Sequence, residues 1–120
     1  MSRNIEDLTG EMQQKYSEFS ERMRDAGEDF ILTCGYRYQS EQDALYAQGR
    51  TTPGKIVTKV KKSRHTDREA FDIAVLKNGK ISWNNADYEP AGQIGENVGL
   101  VWGGSWKTFK DFPHFELPNK

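Results

Sequence analysis

Two histidines occur in the 120 residues, and each stands near a carboxylate at a spacing that suits metal binding. His65 precedes Asp72 by seven residues in SRHTDREAFD, and His114 follows Asp111 by three in DFPHFE. Two imidazoles and one carboxylate brought together would hold one zinc ion and leave a fourth position open to water, the arrangement of a catalytic site. Taken alone, a His and an Asp seven apart recur by chance in many chains and usually form a surface or hydrogen-bonded pair. The second element strengthens the reading. His114 is the only other imidazole, Pro113 keeps its segment from being helical, and Asp111 adds a carboxylate beside it.

These residues need elements to carry them. Ala70 to Leu76 alternates as a strand, with Phe71, Ile73 and Val75 on one face and Ala70, Asp72 and Ala74 on the other. Asp72 thus points away from the bulky side chains, among small neighbours that leave room for a metal and a ligand. Asn78-Gly79 is the favoured pair for a type I′ hairpin, which returns Lys80 to Trp83 antiparallel. Upstream, Leu8, Met12, Tyr16, Phe19 and Met23 mark the buried stripe of a helix near residues 5 to 26, with Asn4 as N-cap and Gly27 as terminator. Phe30 to Thr33 reads as a short strand running into Cys34-Gly35-Tyr36-Arg37. A capping box at Ser40 to Asp43 opens a second helix through Leu45 and Tyr46 to Gly49.

Arg50 to Lys62 has five basic residues, a Pro-Gly turn and no helical stripe, which predicts a long exposed loop. Asp87 can cap a third helix with Tyr88, Ala91, Ile94 and Val98 inward and Gly99 closing it. Leu100 to Trp102 and Pro113 to Leu117 remain as strands around a Gly103-Gly104 turn. The order predicts an α+β fold: one domain over residues 1–120, with a small, mainly antiparallel sheet flanked by about three helices.

Composition limits the partners. Charged residues make up 29% and the net charge is −1, which argues against broad electrostatic attraction to nucleic acid. The single cysteine, Cys34, rules out an internal disulfide and a closed zinc site built from several thiolates, and reads as a buried strand residue. The opening MSRNIEDLTGEM has acids where a signal peptide needs an apolar run, and no stretch approaches the ~20 apolar residues of a membrane span. The expectation is a chain with no stable membrane association that stays in the cytoplasm until something else releases it.

Several segments, taken in order from about Phe30 to Leu117, resemble one known family. They are CGYR at 34–37 with Glu41 and Gln42, then Ser63, His65 and Asp72, then WGGSW at 102–106 followed by DFPHFE. They are similar to the zinc-dependent LAS peptidases of the M15 group, above all to the L-alanoyl-D-glutamate endopeptidases of phage endolysins and related bacterial wall hydrolases. The resemblance implies a single catalytic domain with a Hedgehog/D-Ala-D-Ala-peptidase-like fold. It implies His65, Asp72 and His114 as ligands of one Zn2+, Asp111 as catalytic base, and Arg37 as the group that binds substrate and transition state.

Around that set, Glu116 falls on the strand face of His114 and can orient its imidazole. Ser63, Tyr36 and Trp106 are further candidates for substrate contact or support. Each has a plainer alternative: Arg37 pairing with Glu41, Asp111 as a turn cap, Ser63 capping its loop, and Tyr36, Trp102, Trp106 and Phe115 simply packing. Lys55, Lys59, Lys61, Lys62 and Arg64 flank the site and either favour an anionic peptide or are merely solvated.

The implied activity is hydrolysis of a bond in the peptidoglycan stem peptide, between L-alanine and D-glutamate, by a monomeric endolysin held in the host cytoplasm until it reaches the wall. Two alternatives are a zinc-containing muropeptide-binding module that does not cut and a D-Ala-D-Ala carboxypeptidase of the same group. One departure from the family pattern stands out, because Arg68 occupies the position of a glycine. If that glycine serves a positive φ, arginine strains the turn between His65 and Asp72 by on the order of 1 kcal/mol or more.

Overall fold

The computed structural model describes residues 1–119. The chain opens with a 3-10 turn, Ile5–Asp7, capped by Asn4, whose side chain accepts a hydrogen bond from the Glu6 amide. Helix α1, Gly10–Asp25, starts afresh because Thr9 Oγ1 accepts from the Met12 amide at 3.1 Å. The single helix expected from residue 5 is therefore two pieces, parted at the extended Leu8. Strand β1, Asp29–Cys34, leads to helix α2, Gln39–Ala47. Glu41 Oε1 accepts from the Tyr38 amide at 2.9 Å, so Tyr38 is the first-turn boundary and Ser40, expected as the cap, lies inside the helix.

Residues 50–62 form the exposed loop expected of them, and β2, Ala70–Lys77, follows the turn that carries His65. Asn78 and Gly79 both take positive φ, 54° and 76°, as a type I′ turn requires, and the return strand β3 is only Lys80–Ile81. Another 3-10 turn, Asn85–Tyr88, is capped by Asn84 and runs into α3, Glu89–Asn97. Asp87, expected as the cap of α3, instead accepts from Ser82 Oγ at 2.6 Å. Strands β4, Val101–Trp102, and β5, His114–Glu116, complete the sheet.

All strand pairs are antiparallel, in the order β1-β2-β5-β4 with β3 on the far end of β2. The fold is α+β, with three α-helices among the described residues and one small antiparallel sheet. One face of the sheet is the core. Phe71, Ile73 and Val75 of β2 and Phe115 of β5 are buried there against Met12, Phe19 and Met23 of α1 and Ala91 of α3. Phe71 and Phe115 stack at 5.3 Å, and the Phe19 ring lies 4.9 Å from Phe115, so aromatic area supplies much of the hydrophobic driving force. α3 reaches β4 through Gly92, where a Cβ would fall 2.3 Å from the Trp102 ring. No helix of the described residues is long and apolar enough to cross a membrane.

The period-2 alternation that buries Phe71 and Phe115 turns Asp72, His114 and Glu116 to the opposite face. Register then aligns them. Asp72 is the cross-strand partner of His114 on one side and, after a bulge between Leu32 and Cys34, of Cys34 on the other. Three adjacent strands thus place a thiol, a carboxylate and an imidazole on one rung.

Candidate metal centre

His65 is delivered to this rung from the turn before β2. Ser63 Oγ accepts from the His65 amide at 3.1 Å, and the His65 carbonyl accepts from the amides of Arg37 and Arg68, both at 3.2 Å. The ring is buried, its Nε2 lies 3.1 Å from Asp72 Oδ1, and its Nδ1 lies 2.8 Å from the Gly35 carbonyl. His114 approaches the same oxygen with its other nitrogen: Nδ1 is 3.1 Å from Asp72 Oδ1, and Nε2 is 2.7 Å from Glu116 Oε1.

These partners settle the tautomers. A carbonyl only accepts, so Gly35 holds His65 Nδ1–H and leaves Nε2 as the lone-pair side. An ionised carboxylate also only accepts, so Glu116 holds His114 Nε2–H and leaves Nδ1 as the lone-pair side. Two lone pairs then face one oxygen of Asp72, which is repulsive unless a cation lies among them. Either a proton on each imidazole or one metal ion answers that need, and two imidazoles with one carboxylate suit zinc. The donor set fits the ion.

Without metal, the protons take its part. Burial by itself would push His65 down, but the hydrogen bond to Asp72, smaller help from Cys34 and the Asp72 charge raise it to about 10. For His114, burial again opposes, while the hydrogen bonds to Asp72 and Glu116 lift it above the ordinary imidazole value. Burial would raise Asp72, yet the two imidazoles hold its carboxyl well below the usual carboxylate range. Asp111 moves the other way: burial and the neighbouring Asp72 charge raise it, with His114, His65 and Arg37 only partly offsetting them.

Among the described residues, two groups of ligand-type atoms lie within 4.8 Å of one another, Cys34 with His65 and Asp72, and Asp72 with Asp111 and His114. Asp72 belongs to both. The Cys34 thiol sits 3.7 Å from His65 Nδ1, the nitrogen already held by Gly35, so it packs behind the ring and outside the Nε2 side. Asp111 is brought close by Gly103, whose carbonyl accepts from the Asp111 amide at 3.0 Å; a Cβ on Gly103 would fall 2.3 Å from the Asp111 carbonyl oxygen. Gly103 is thus a close backbone approach that sets the carboxylate beside the histidines, while at Gly104 a Cβ would fall 2.2 Å from the Trp102 ring.

The cluster forms the floor of a cleft of about 840 Å³, which Arg37, Ser63, Trp106 and Glu116 also line. The Trp106 ring is 5.2 Å from that of His114. Arg37 does not pair with Glu41; its Nη1 donates to Gln42 Oε1 at 2.8 Å, and its buried Nε has no partner among the described residues. Tyr36 is not among the residues lining the cleft. Its ring contacts Tyr38 and carries the Arg68 guanidinium at 3.9 Å. Arg64, rather than being merely solvated, pins the C-terminal segment, donating to Glu116 Oε2 at 3.2 Å and to the Leu117 carbonyl at 2.8 Å. Cys34 is the buried strand residue expected of it, at the end of β1, whereas Gln42, part of the family resemblance, had no structural role read for it. Full burial of this polar side chain is its structural mark, and its place in the ordered motifs with CGYR and Glu41 was the one sign of it in the sequence.

Arg68 adopts φ 65°, the left-handed conformation that a glycine would supply at that place. Its carbonyl accepts from the Thr9 amide at 3.0 Å, and its Nη1 donates to the Asp7 carbonyl at 2.9 Å. The strained turn is therefore fastened to the start of α1.

A domain of this topology, with two imidazoles and a carboxylate converging beneath an open cleft, is the architecture of an M15-type peptidase fold. Residues 57–117 match the M15 family model described as D-alanyl-D-alanine carboxypeptidase, and the chain belongs to this M15 peptidase family. It is 41% identical over 106 residues to peptidoglycan L-alanyl-D-glutamate endopeptidase CwlK of Bacillus subtilis (strain 168), a match that covers 78% of this chain and 64% of CwlK. The chain thus spans somewhat less than two thirds of that relative's length. Among solved structures, the L-Ala D-Glu endopeptidase ChiX of Serratia marcescens superposes with a TM-score of 0.80 at 23% identity, covering 96% of this chain and 84% of ChiX. A mutant of the vancomycin resistance D,D-pentapeptidase VanY, in complex with Zn(II), gives a TM-score of 0.66 at 16% identity, covering 92% and 72%. Both structural likenesses are likenesses of fold.

Proposed function

We propose that the chain is a single catalytic domain that binds one zinc ion and hydrolyses a peptide bond of the peptidoglycan stem peptide, between L-alanine and D-glutamate. The observation that carries this reading is the pair of imidazoles, locked in opposite tautomers by Gly35 and Glu116, both turned on one oxygen of Asp72. The printed activity of CwlK, 41% identical, supports the choice of bond. In this reading His65 Nε2, Asp72 Oδ1 and His114 Nδ1 are the ligands, and Glu116 and Gly35 orient the two rings.

When bound, zinc supplies Lewis acidity that brings the pKa of water down toward about 7 and polarises a carbonyl. Asp111 takes the proton of the attacking water, a task favoured by the burial and the Asp72 charge that raise its own pKa toward the working range. The same carboxyl then hands that proton to the departing amine. Arg37, which lines the cleft, meets with its guanidinium the negative charge that develops on the carbonyl oxygen. Ser63 is occupied with the His65 amide and serves as the cap of its turn, while Trp106 walls the cleft beside His114.

The biological setting that agrees with this is a phage endolysin, a monomer acting on wall peptide after release from the host cytoplasm. The description of the family model favours one second reading, removal of a terminal D-alanine. Digestion of purified muropeptides followed by mass spectrometry separates the two: a new D-glutamate amino terminus supports the endopeptidase, and released D-alanine the carboxypeptidase. Asp111→Ala should keep fold and zinc and lose about 10²–10⁴-fold in turnover. Normal hydrolysis by that variant would remove Asp111 from the mechanism.

A further inference from the structure

The loop of residues 50–62 forms part of the cleft wall, yet it contributes no strand or helix and only one isolated bridge, Gln48 with Thr52. Side-chain amides from α2 and its C-terminal boundary hold it. Gln39 Nε2 donates to the Lys61 carbonyl at 2.8 Å, Gln42 Nε2 to the Val60 carbonyl at 2.7 Å, and Gln48 Nε2 to the Lys55 carbonyl at 2.9 Å. Gln39 and Gln42 stand three residues apart and so project from one helix face.

Gln42 differs from the other two. It is fully buried, its Nε2 also reaches Thr58 Oγ1 at 3.4 Å, and its Oε1 accepts from Arg37 Nη1. A guanidinium only donates and a backbone carbonyl only accepts, so this amide has a single workable orientation; a flipped one would set like against like at both ends. Beyond Gln42, the one other hydrogen bond of the Arg37 head among the described residues is a 3.9 Å contact from Nη2 to the Cys34 thiol. The Arg37 backbone is fixed to the His65 turn, but the place of its charged head is set by the same amide that grips the loop.

We propose that Gln42 is a positioning residue that couples the 50–62 loop to the Arg37 guanidinium, so that a peptide seated against the loop also fixes the guanidinium over its carbonyl. The role of Arg37 in turnover rests on the peptidase reading above; the mechanical coupling does not. The loop and the guanidinium then form one unit, joined at a buried amide, above the sheet that carries Asp72 and His114.

Limited trypsin digestion reads the coupling without reference to activity, because Lys55, Lys59, Lys61 and Lys62 are cleavage sites within the loop. In the zinc-loaded protein, Gln42→Met severs both arms, and Gln42→Glu keeps the acceptor for Arg37 while losing the donor to Val60. Each should speed loop cleavage about fivefold, the loss of one net hydrogen bond in a local opening equilibrium. Arg37→Ala, whose side chain bonds to Gln42 and Cys34 rather than to the loop, should also speed it. On muropeptides, Gln42→Met should lower kcat on the order of a hundredfold with a smaller change in KM. Adding it to Arg37→Ala should cost little more than Arg37→Ala alone.

Loop cleavage unaltered by Arg37→Ala, or turnover losses that simply multiply in the double variant, would overturn the proposal. If Gln42→Met does not fold, Gln42→Glu, of equal size, carries the same comparison. Should the wild-type protein cut no muropeptide, the peptidase reading fails, while the digestion pattern still decides the coupling.

Discussion

The floor and the wall of the cleft are held by different kinds of bond. The floor is sheet: Asp72 and His114 sit on paired strands whose opposite face is the phenylalanine core, and the His65 turn is tied by backbone hydrogen bonds at 3.0–3.3 Å. Past the turn at Arg50 to Thr52, whose amides donate to the Ala47 carbonyl, the wall is attached through the side chains of three glutamines, and its Lys59 lies 3.9 Å over the ring of Phe109 from the opposite loop. Removing a floor residue disturbs packing and charge together. The wall can give way locally at a cost near that of single hydrogen bonds. A ligand site needs the first property and a substrate channel the second, and the fold separates them along the chain.

The largest effect should follow from breaking the floor. His114→Ala leaves Asp72 and Glu116 facing each other without the imidazole, so zinc should be lost on dialysis and hydrolysis should fall to background. Zinc measured at full stoichiometry in that variant would remove His114 from the ligand set. Next in size is the contest between protons and metal. His65 is raised to about 10 and His114 is raised above its ordinary value, so in the metal-free protein both shifts favour the proton over a bound cation, and zinc affinity should fall as pH drops from about 8 to about 6.

The same groups give a stability profile for the metal-free form. The raised His65 contributes in full below 6.5, its ordinary value, and the contribution is lost as pH rises through about 10. The depressed Asp72 contributes above 3.8 and its share is lost as pH falls toward its lower folded value. The paired contribution should therefore be greatest between those two ordinary values. Calorimetry of zinc binding in buffers of different proton affinity, with thermal melts of the metal-free protein, checks both, and a pH-independent zinc affinity would refute the protonated-pair description.

Smaller effects sharpen the contrast. At Arg68, Gly should restore the favoured left-handed backbone while Ala should not, so Arg68→Gly should be more stable than Arg68→Ala by about 1 kcal/mol in denaturant unfolding. Equal stability would mean that the turn relaxes away from φ 65°. On the wall, Lys59→Ala removes an exposed cation–π contact worth about 0.5–1 kcal/mol and should leave the melting temperature nearly unchanged while altering KM a few-fold. A large fall in stability would show that the wall is as integral as the floor.

How far the sequence could be read follows the same divide. Alternation in Ala70 to Leu76 told which side Asp72 would face, and the Asn78-Gly79 pair foretold the positive φ values of the hairpin, because both are local consequences of strand and turn geometry. Helix starts were legible only to within a few residues. Thr9, Tyr88 and Tyr38 stand at the starts of α1, α3 and α2, where local pattern points to Asn4, Asp87 and Ser40, since several polar residues compete for each cap and packing selects among them. Arg37 and Glu41 at helical spacing suggested a pair, but Arg37 lies before α2 begins and turns to Gln42.

By itself the sequence determined the residue types able to bind a metal, the faces on which two of them fall and the family to which the chain belongs, all of which depend on short-range pattern or ordered motifs. Tertiary structure alone decided that Cys34, Asp72 and His114 share a rung, that Gly35 and Glu116 set which nitrogen of each imidazole faces Asp72, and that Gln42 joins Arg37 to the loop. Those relations arise from strand register and from burial, where a polar group must find whichever partner the packed chain brings within reach, however distant in sequence.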